Sequence, residues 1–262
     1  MMDFKSKYGP WAIVTGASSG IGKEMAIQLS NKGVNLVLIT RNLQNLNTLH
    51  KELNKEVSVK SLELDLKDAD FLDKLEVKLN GLNIGLLVHA AGAMYVDRYM
   101  NTSVQDEVEM INLNVVASVK LTRHFSGRFA KRGRGGIILF GSMLGFIGTP
   151  LMTAYSATKA YQNTYAEALH HELKQYNIDV LSVVPGLTDT PMTSMYDFSS
   201  LPMKMSSAKR VAADAIKSLG KKSSTTYGFM NKIMNWSSKH VMSRKLNTNL
   251  FGYLLKKVNK KQ

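Results

Sequence analysis

A tyrosine and a lysine stand four residues apart in Tyr155-Ser-Ala-Thr-Lys159, the spacing that puts two side chains on one face of a helix. A free phenol titrates near ~10, too high for an easy base at neutral pH. A neighbouring ammonium favours the phenolate, so Lys159 is expected to lower the Tyr155 pKa and make it a usable proton donor or acceptor. Ser142 follows the apolar run Gly135–Phe140, and a hydroxyl there can hold a substrate oxygen while the phenol passes the proton. Asn114, in Ile111-Asn-Leu-Asn-Val115, is a polar residue inside an otherwise apolar helical stretch. It either anchors a water near Lys159 or faces solvent. Taken singly, a Tyr-x-x-x-Lys spacing is a common coincidence and Ser142 an ordinary turn residue; their context adds the weight.

That context begins near the start of the chain. The apolar run Trp11–Thr15 feeds Gly16-Ala17-Ser18-Ser19-Gly20-Ile21-Gly22, and a helical pattern with Ile21, Met25 and Leu29 four residues apart follows. Glycines between a strand and a helix let the backbone approach a pyrophosphate, and the helix N-terminus offers free N–H groups and a positive dipole end. Such turns also occur without a ligand, but this placement favours nucleotide binding. After the second apolar run the chain reads Thr40-Arg41-Asn42, with no carboxylate for the adenosine ribose hydroxyls. A guanidinium instead suits a 2′-phosphate, so NADP is expected over NAD. A solvent-facing Arg41 is the competing reading. Asp65 either accepts from the adenine amino group or caps the next helix.

The elements that must position these groups alternate along the chain. Strands are expected at Trp11–Thr15, Asn35–Ile39, Val57–Leu62, Ile84–His89, Gly135–Phe140 and Ile178–Val184, with a β-prone Thr225–Phe229. Helices are expected at 20–31, 42–54, 68–80, 103–130, 155–176 and 207–219. This alternation predicts an α/β fold, a single-domain, Rossmann-type doubly wound parallel sheet of about seven strands with helices on both faces. The stretch 187–205 reads as a loop rich in Met, Thr, Ser and Pro. No linker divides residues 1–262.

The 262 residues include no cysteine, which excludes disulfides, thiol nucleophiles and Cys-ligated metal. The histidines show no spacing with carboxylates that suggests a metal site. No apolar run approaches a membrane span, and Met1–Tyr8 lacks the apolar core of an export signal, so a cytoplasmic protein is expected. The formal charge of +14 is uneven: residues 204–262 hold 14 Lys/Arg and a single acid, Asp214. Within the basic 230–262 extension, Leu246, Leu250, Leu254 and Val258 recur at helical spacing beside Arg244, Lys245, Lys256, Lys257, Lys260 and Lys261. A basic amphipathic helix can lie on an anionic membrane, steer an acyl carrier or CoA thioester, or pack on a partner subunit. No nucleic-acid recognition module is visible.

Together these motifs resemble the short-chain dehydrogenase/reductase family over roughly residues 9–200. The Thr-Gly-x-x-x-Gly-x-Gly pattern is complete at 15–22, Tyr155 and Lys159 form the family pair, and Ser142 lies at the family's distance before the tyrosine. The resemblance implies an NADP(H)-dependent oxidoreductase of carbonyls and secondary alcohols. It assigns Tyr155 as acid/base, Ser142 as the group polarising the carbonyl, and Lys159 as the nicotinamide-ribose ligand that tunes Tyr155. Asn114 then supports a relay water. Ala91, Gly92, Pro185, Gly186 and Thr188 join the glycine turn as cofactor contacts. The family's Asn after the fourth strand is replaced in His89-Ala90-Ala91-Gly92, and His89 is read as a structural substitute.

In the family the segment after Pro-Gly covers the substrate. Here 187–205 supplies Met192, Met195, Tyr196, Phe198, Leu201, Pro202, Met203 and Met205, which suit a lipophilic substrate such as a 3-oxoacyl thioester or steroid-like ketone. Packing onto the body explains them equally well. By the same resemblance, a homodimer or homotetramer forms through the two long helices. The rival reading is a non-catalytic NADP-binding redox sensor or scaffold, which an intact Ser–Tyr–Lys set disfavours.

Overall fold

The computed structural model describes residues 3–201 and 203–260. After a short α1 (Phe4–Tyr8), the apolar runs form β1 (Trp11–Thr15), β2 (Asn35–Thr40), β3 (Val59–Glu63), β4 (Ile84–His89), β5 (Gly135–Phe140) and β6 (Ile178–Val183). Between them lie α2 (Gly20–Ser30), α3 (Asn47–Leu53), α4 (Phe71–Leu79), α5 (Val104–Ile111), α6 (Ala117–Arg132) and α7 (Thr153–Glu172). Beyond β6 come β7 (Thr188–Asp189), α8 (Pro191–Ser194), β8 (Tyr196–Asp197), β9 (Ser206–Ser207), α9 (Ala208–Ser218) and β10 (Ser224–Thr225). Two helices, α10 (Phe229–His240) and α11 (Arg244–Leu255), and β11 (Asn259–Lys260) complete the described chain.

The main sheet has seven strands in the order β10-β6-β5-β4-β1-β2-β3, and every pairing in it is parallel. Residue alternation divides the core. Ala12, Val14, Leu36, Leu38, Leu86 and Val88 face one layer of helices, with Met25 and Leu29 of α2. Ile13, Val37, Ile39, Leu87 and Ile137 face the other, with Phe125 and Phe129 of α6. Both faces being covered is why these strands read as continuous apolar runs. The strand order reverses between β1 and β4, and ligands of such sheets bind in the crevice this leaves at the carboxyl ends.

Several elements differ from expectation. The helix expected over 103–130 is broken by a π-helical turn, Asn112–Val116, between α5 and α6. Residues 42–54 split into a 3₁₀ turn, Leu43–Leu46, and α3, because Asn42 caps the turn by accepting from Gln44 N. The β-prone 225–229 is a strand only to Thr225; Gly228, at φ +93°, turns the chain and Phe229 opens α10. The 187–205 segment is more ordered than a loop: β7 pairs with β9, β8 pairs with β11, and Thr190 with Thr193 forms a reciprocal capping box on α8.

The expected apolar stripe of the C-terminal helix is rotated. Leu246 and Leu250 are exposed, whereas Asn247, Phe251 and Leu255 are buried, with Val258 beyond the helix end. The i, i+4 pattern of leucines was legible, but the adjacent row is the one that packs. Pro202 and Lys261 lie outside the described residues.

Candidate active site

At the crevice, Gly16 and Gly20 have φ of +64° and +53°, left-handed values that disfavour a side chain. A Cβ on Gly22 would stand 2.2 Å from Gly16 O, so strand, turn and helix touch through bare backbone. Ser19 makes no side-chain cap bond to α2, and the first-turn N–H groups have no intrahelical partners. A cleft of about 250 Å³ opens here, walled by Ser18, Ser19, Ile21, Thr40, Ala91 and Gly92 and also by Arg41 and Asp65. The cradle fits a dinucleotide pyrophosphate, since glycine backbone lines it and the first turn of α2 brings free N–H groups to it. Arg41 is exposed at the rim. Asp65 is half-buried, with Oδ1 accepting from Lys67 N at 2.9 Å, and it does not cap α4, whose N-cap is Asp70.

A second cavity, of about 90 Å³, adjoins the other side of the sheet end. Ser142 and Tyr155 share it with Met94, Met143, Met152, Leu187, Phe198 and Leu201, and Phe251, Leu254 and Leu255 close it from α11. Of the apolar residues singled out in 187–205, Phe198, Leu201 and Met203 line this cavity and Met192 lines the cleft. Met195 and Met205 are exposed, and Tyr196 is buried where its Oη accepts from Val96 N. Gly186 reaches the cavity wall. Pro185 and Thr188 bond back onto the chain, Pro185 O accepting from Met143 N at 3.1 Å and Thr188 Oγ1 donating to Gly186 O at 2.9 Å.

The candidate reacting groups are held by a buried polar face on α7. Tyr155, Thr158, Lys159, Gln162 and Asn163 are all buried. Lys159 Nζ donates to Phe140 O at 2.8 Å and to Gln162 Oε1 at 2.7 Å. Asn163 clamps the Ser142 backbone, its Oδ1 accepting from Ser142 N and its Nδ2 donating to Ser142 O at 2.9 Å. Gln162, Asn163 and Thr158 were missed in the sequence, although polar residues at helical spacing from Tyr155 were a usable signal. Asn114 is fully buried. Its Nδ2 donates to Ala93 O and Thr158 Oγ1, both at 3.0 Å, and its Oδ1 accepts from Ala93 N at 2.9 Å. Both donors are therefore spent, which leaves one lone pair of Oδ1 for any water.

Burial reverses the expected electrostatics. The Tyr155 phenol is pushed up to about 12 by desolvation, and a hydrogen bond with Ser142 pulls it back only partly. Desolvation pushes the Lys159 ammonium down to about 7. Lys159 Nζ lies 5.7 Å from the Tyr155 ring centroid, and its hydrogen bonds go to Phe140 and Gln162. The expectation that Lys159 lowers Tyr155 is thus not met in the free chain. His89 carries out the expected structural role: Nδ1 bonds Thr15 Oγ1 at 2.9 Å, and the same hydroxyl accepts from Ala91 N. Burial holds His89 neutral, down to about 3. The Leu113 carbonyl opposes that shift from outside hydrogen-bond geometry, and Nε2 has no partner among the described residues.

The profile of the short chain dehydrogenase family matches residues 10–197. The chain belongs to this family. A 7β-hydroxysteroid dehydrogenase of Clostridium sardiniense is 32% identical over 238 residues, covering 88% of this chain and 90% of its own. A very-long-chain 3-oxoacyl-CoA reductase of Mus musculus is 32% identical over 234 residues, covering 87% of this chain and 74% of its own. The solved short-chain dehydrogenase of Sphingobium yanoikuyae in complex with NADPH superimposes with a TM-score of 0.77 at 27% identity, covering 97% of this chain and 98% of that one. The protein is therefore an oxidoreductase that interconverts carbonyl and alcohol groups.

In this dehydrogenase the low Lys159 pKa has a measurable consequence. Lys159 titrates near 7 in the folded chain against an ordinary 10.5. Between those values the unfolded chain holds a proton that the folded chain has released, so stability rises with pH across that window. Urea midpoints measured at about pH 6 and about pH 9 are expected to show this rise in the wild type and a smaller one in Lys159→Met. An equal rise in both would place the titration elsewhere.

Proposed function

We propose that the protein is an NADP(H)-dependent reductase of lipophilic ketones, with Tyr155 as the proton donor. The observation that carries this reading is the shared apolar cavity: both Ser142 and Tyr155 face it, while Lys159 and Asn114 stand behind them toward the glycine cleft. Gly16, Ser18, Ser19, Gly20, Ile21, Gly22, Ala91 and Gly92 would hold the cofactor's pyrophosphate and adjoining ribose, and Pro185, Gly186 and Thr188 its nicotinamide end. When bound, the cofactor supplies the hydride.

The residues then divide the remaining work. The Ser142 hydroxyl, its backbone fixed by Asn163, orients and polarises the carbonyl oxygen. Tyr155 donates the proton to that oxygen, and a phenol whose pKa is held near 12 keeps its proton at neutral pH, which suits reduction. Lys159, held by Phe140 O and Gln162 behind the phenol, would bind a ribose hydroxyl of the cofactor. Asn114 holds the Ala93 backbone and a relay water. The methionine-rich wall excludes bulk water and adapts to an apolar ligand. The two relatives named above act, by their names, on a hydroxysteroid and on a very-long-chain 3-oxoacyl-CoA, which supports a substrate of that class.

Arg41 at the cleft rim supports NADP over NAD, since no carboxylate stands at the end of β2. Arg41→Ala is expected to raise KM for NADPH by about ten- to a hundred-fold, the worth of a hydrogen bond to a charged group, with little change for NADH. Parallel steady-state assays with both nucleotides check this; equal losses would remove the 2′-phosphate role. For assembly, Val104, Val108 and Ile111 on α5, Val116 in the π turn and Tyr161 on α7 are exposed, and they support a homodimer or homotetramer through this face. A cytoplasmic location is part of the same reading.

The decisive experiment follows NADPH oxidation with 3-oxoacyl thioesters, steroid ketones and small polar ketones. Turnover confined to the bulky apolar members is expected. Tight NADPH binding with no turnover on any of them would favour a non-catalytic redox sensor.

A further inference from the structure

The last two helices carry apolar surface that the fold leaves uncovered. Phe229, Ile233 and Trp236 on α10, and Leu246, Leu250 and Tyr253 on α11, are between 41% and 75% exposed. Both sets fall at i, i+4 and i+7, one outward stripe per helix. Val241, between the helices, is 65% exposed. The packing work of α11 is done by the adjacent row, where Asn247, Phe251 and Leu255 are buried and Phe251, Leu254 and Leu255 wall the apolar cavity.

The charge around these stripes has one sign. Residues 215–262 contain 11 Lys/Arg and no Asp or Glu. Lys232, Arg244, Lys245, Lys256 and Lys257 are exposed on or beside the two helices, and Lys257 Nζ lies 5.0 Å from the Tyr253 ring centroid. Among the described residues no helix is long and apolar enough to cross a membrane.

We propose that α10 and α11 dock the protein on the surface of an anionic lipid bilayer. The Phe229/Ile233/Trp236 and Leu246/Leu250/Tyr253 stripes enter the boundary between headgroups and acyl chains, and the flanking cations meet lipid phosphates. A two-fold contact with a second copy would set this all-cationic segment against itself. An acidic carrier protein would satisfy the cations but leave the aliphatic and aromatic stripes in water. A bilayer satisfies both. On α11 the docking stripe and the cavity wall are neighbouring faces of one helix, so a bound membrane engages the same helix that closes the cavity.

Sedimentation of the full chain with vesicles tests this directly. Binding to phosphatidylglycerol/phosphatidylcholine vesicles is expected to exceed binding to phosphatidylcholine alone at least ten-fold, and to weaken as salt is raised. Leu246→Ser/Leu250→Ser/Tyr253→Ser and, separately, Phe229→Ser/Ile233→Ser are each expected to cut anionic-vesicle binding at least ten-fold with an unchanged unfolding transition. Bromine-labelled acyl chains are expected to quench Trp236 emission, and Trp236→Phe to abolish that component, which keeps the test open if a triple variant folds poorly. Failure of the wild type to pellet with anionic vesicles overturns the proposal. So does vesicle binding that survives both sets of substitutions, or native mass spectra in which those substitutions instead dissolve a dimer. The assay contains neither nucleotide nor ketone, so its failure and a failure of the catalytic reading are separate results.

Discussion

Tyr155→Phe is expected to lower the rate constant for ketone reduction by about 10²–10⁴-fold, the usual worth of a positioned general acid. The substitution removes one oxygen and keeps the ring that fills the cavity beside Met152 and Met94. NADPH affinity, read by quenching or enhancement of its fluorescence, is expected to stay near the wild-type value. Stability is expected to hold or rise slightly, because a buried hydroxyl whose one partner among the described residues is Ser142 contributes little against its desolvation. The pH profile supplies a second readout. A phenol held near 12 keeps its proton through neutrality, so reduction should not fall as pH rises from 7 to 9 through loss of that proton. Equal rates for Tyr155→Phe and wild type would show that the proton comes from another group, and would leave Ser142 as a structural turn residue.

The fold was legible because burial on both sheet faces writes itself as runs such as Leu36–Ile39 and Ile137–Phe140, and glycine turns punctuate them. That Ser142, Tyr155 and Lys159 come together in space was legible from the Tyr-x-x-x-Lys spacing and the family resemblance. Their electrostatics were not. The sign of the Tyr155 shift depends on how much water the cavity excludes and on where Lys159 spends its donors, and neither is a local property of Tyr-x-x-x-Lys. Leu246 and Leu250 made a similar difficulty: a leucine repeat shows that a helix has an apolar row, but Phe251 and Leu255, one position over, are the residues the body covers. Helix interruption is the third case. Asn112–Val116 sits inside a continuous helical pattern, and the tertiary demand on Asn114, which bonds Ala93 and Thr158 from within the π turn, is not written in that pattern.

That demand sets up a second large effect. Asn114→Leu is expected to destabilise the protein by about 3 kcal/mol or more, because it strips hydrogen-bond partners from the Ala93 N–H and C=O and from Thr158, each loss worth about 1–3 kcal/mol when buried. Thr158 keeps one bond, donating to Tyr155 O at 2.8 Å, which limits the loss at that residue. Chemical denaturation gives the stability change, and a loss below about 1 kcal/mol would mean that these groups find water. Asn114→Asp separates positioning from bulk. A Cβ on Gly92 would stand 3.2 Å from Asn114 Oδ1 and 3.7 Å from Lys159 Nζ, so a carboxylate at 114 sits close to the ammonium. An opposite charge favours the protonated amine, so Lys159 should titrate above 7, by about one unit or more. The pH window in which stability rises would then start higher, because the folded chain keeps its proton longer and differs less from the unfolded chain. A merely structural asparagine would lose stability in both variants and leave that window where it stands in the wild type; movement of the window in Asn114→Asp alone would place Asn114 within electrostatic reach of the lysine behind the phenol.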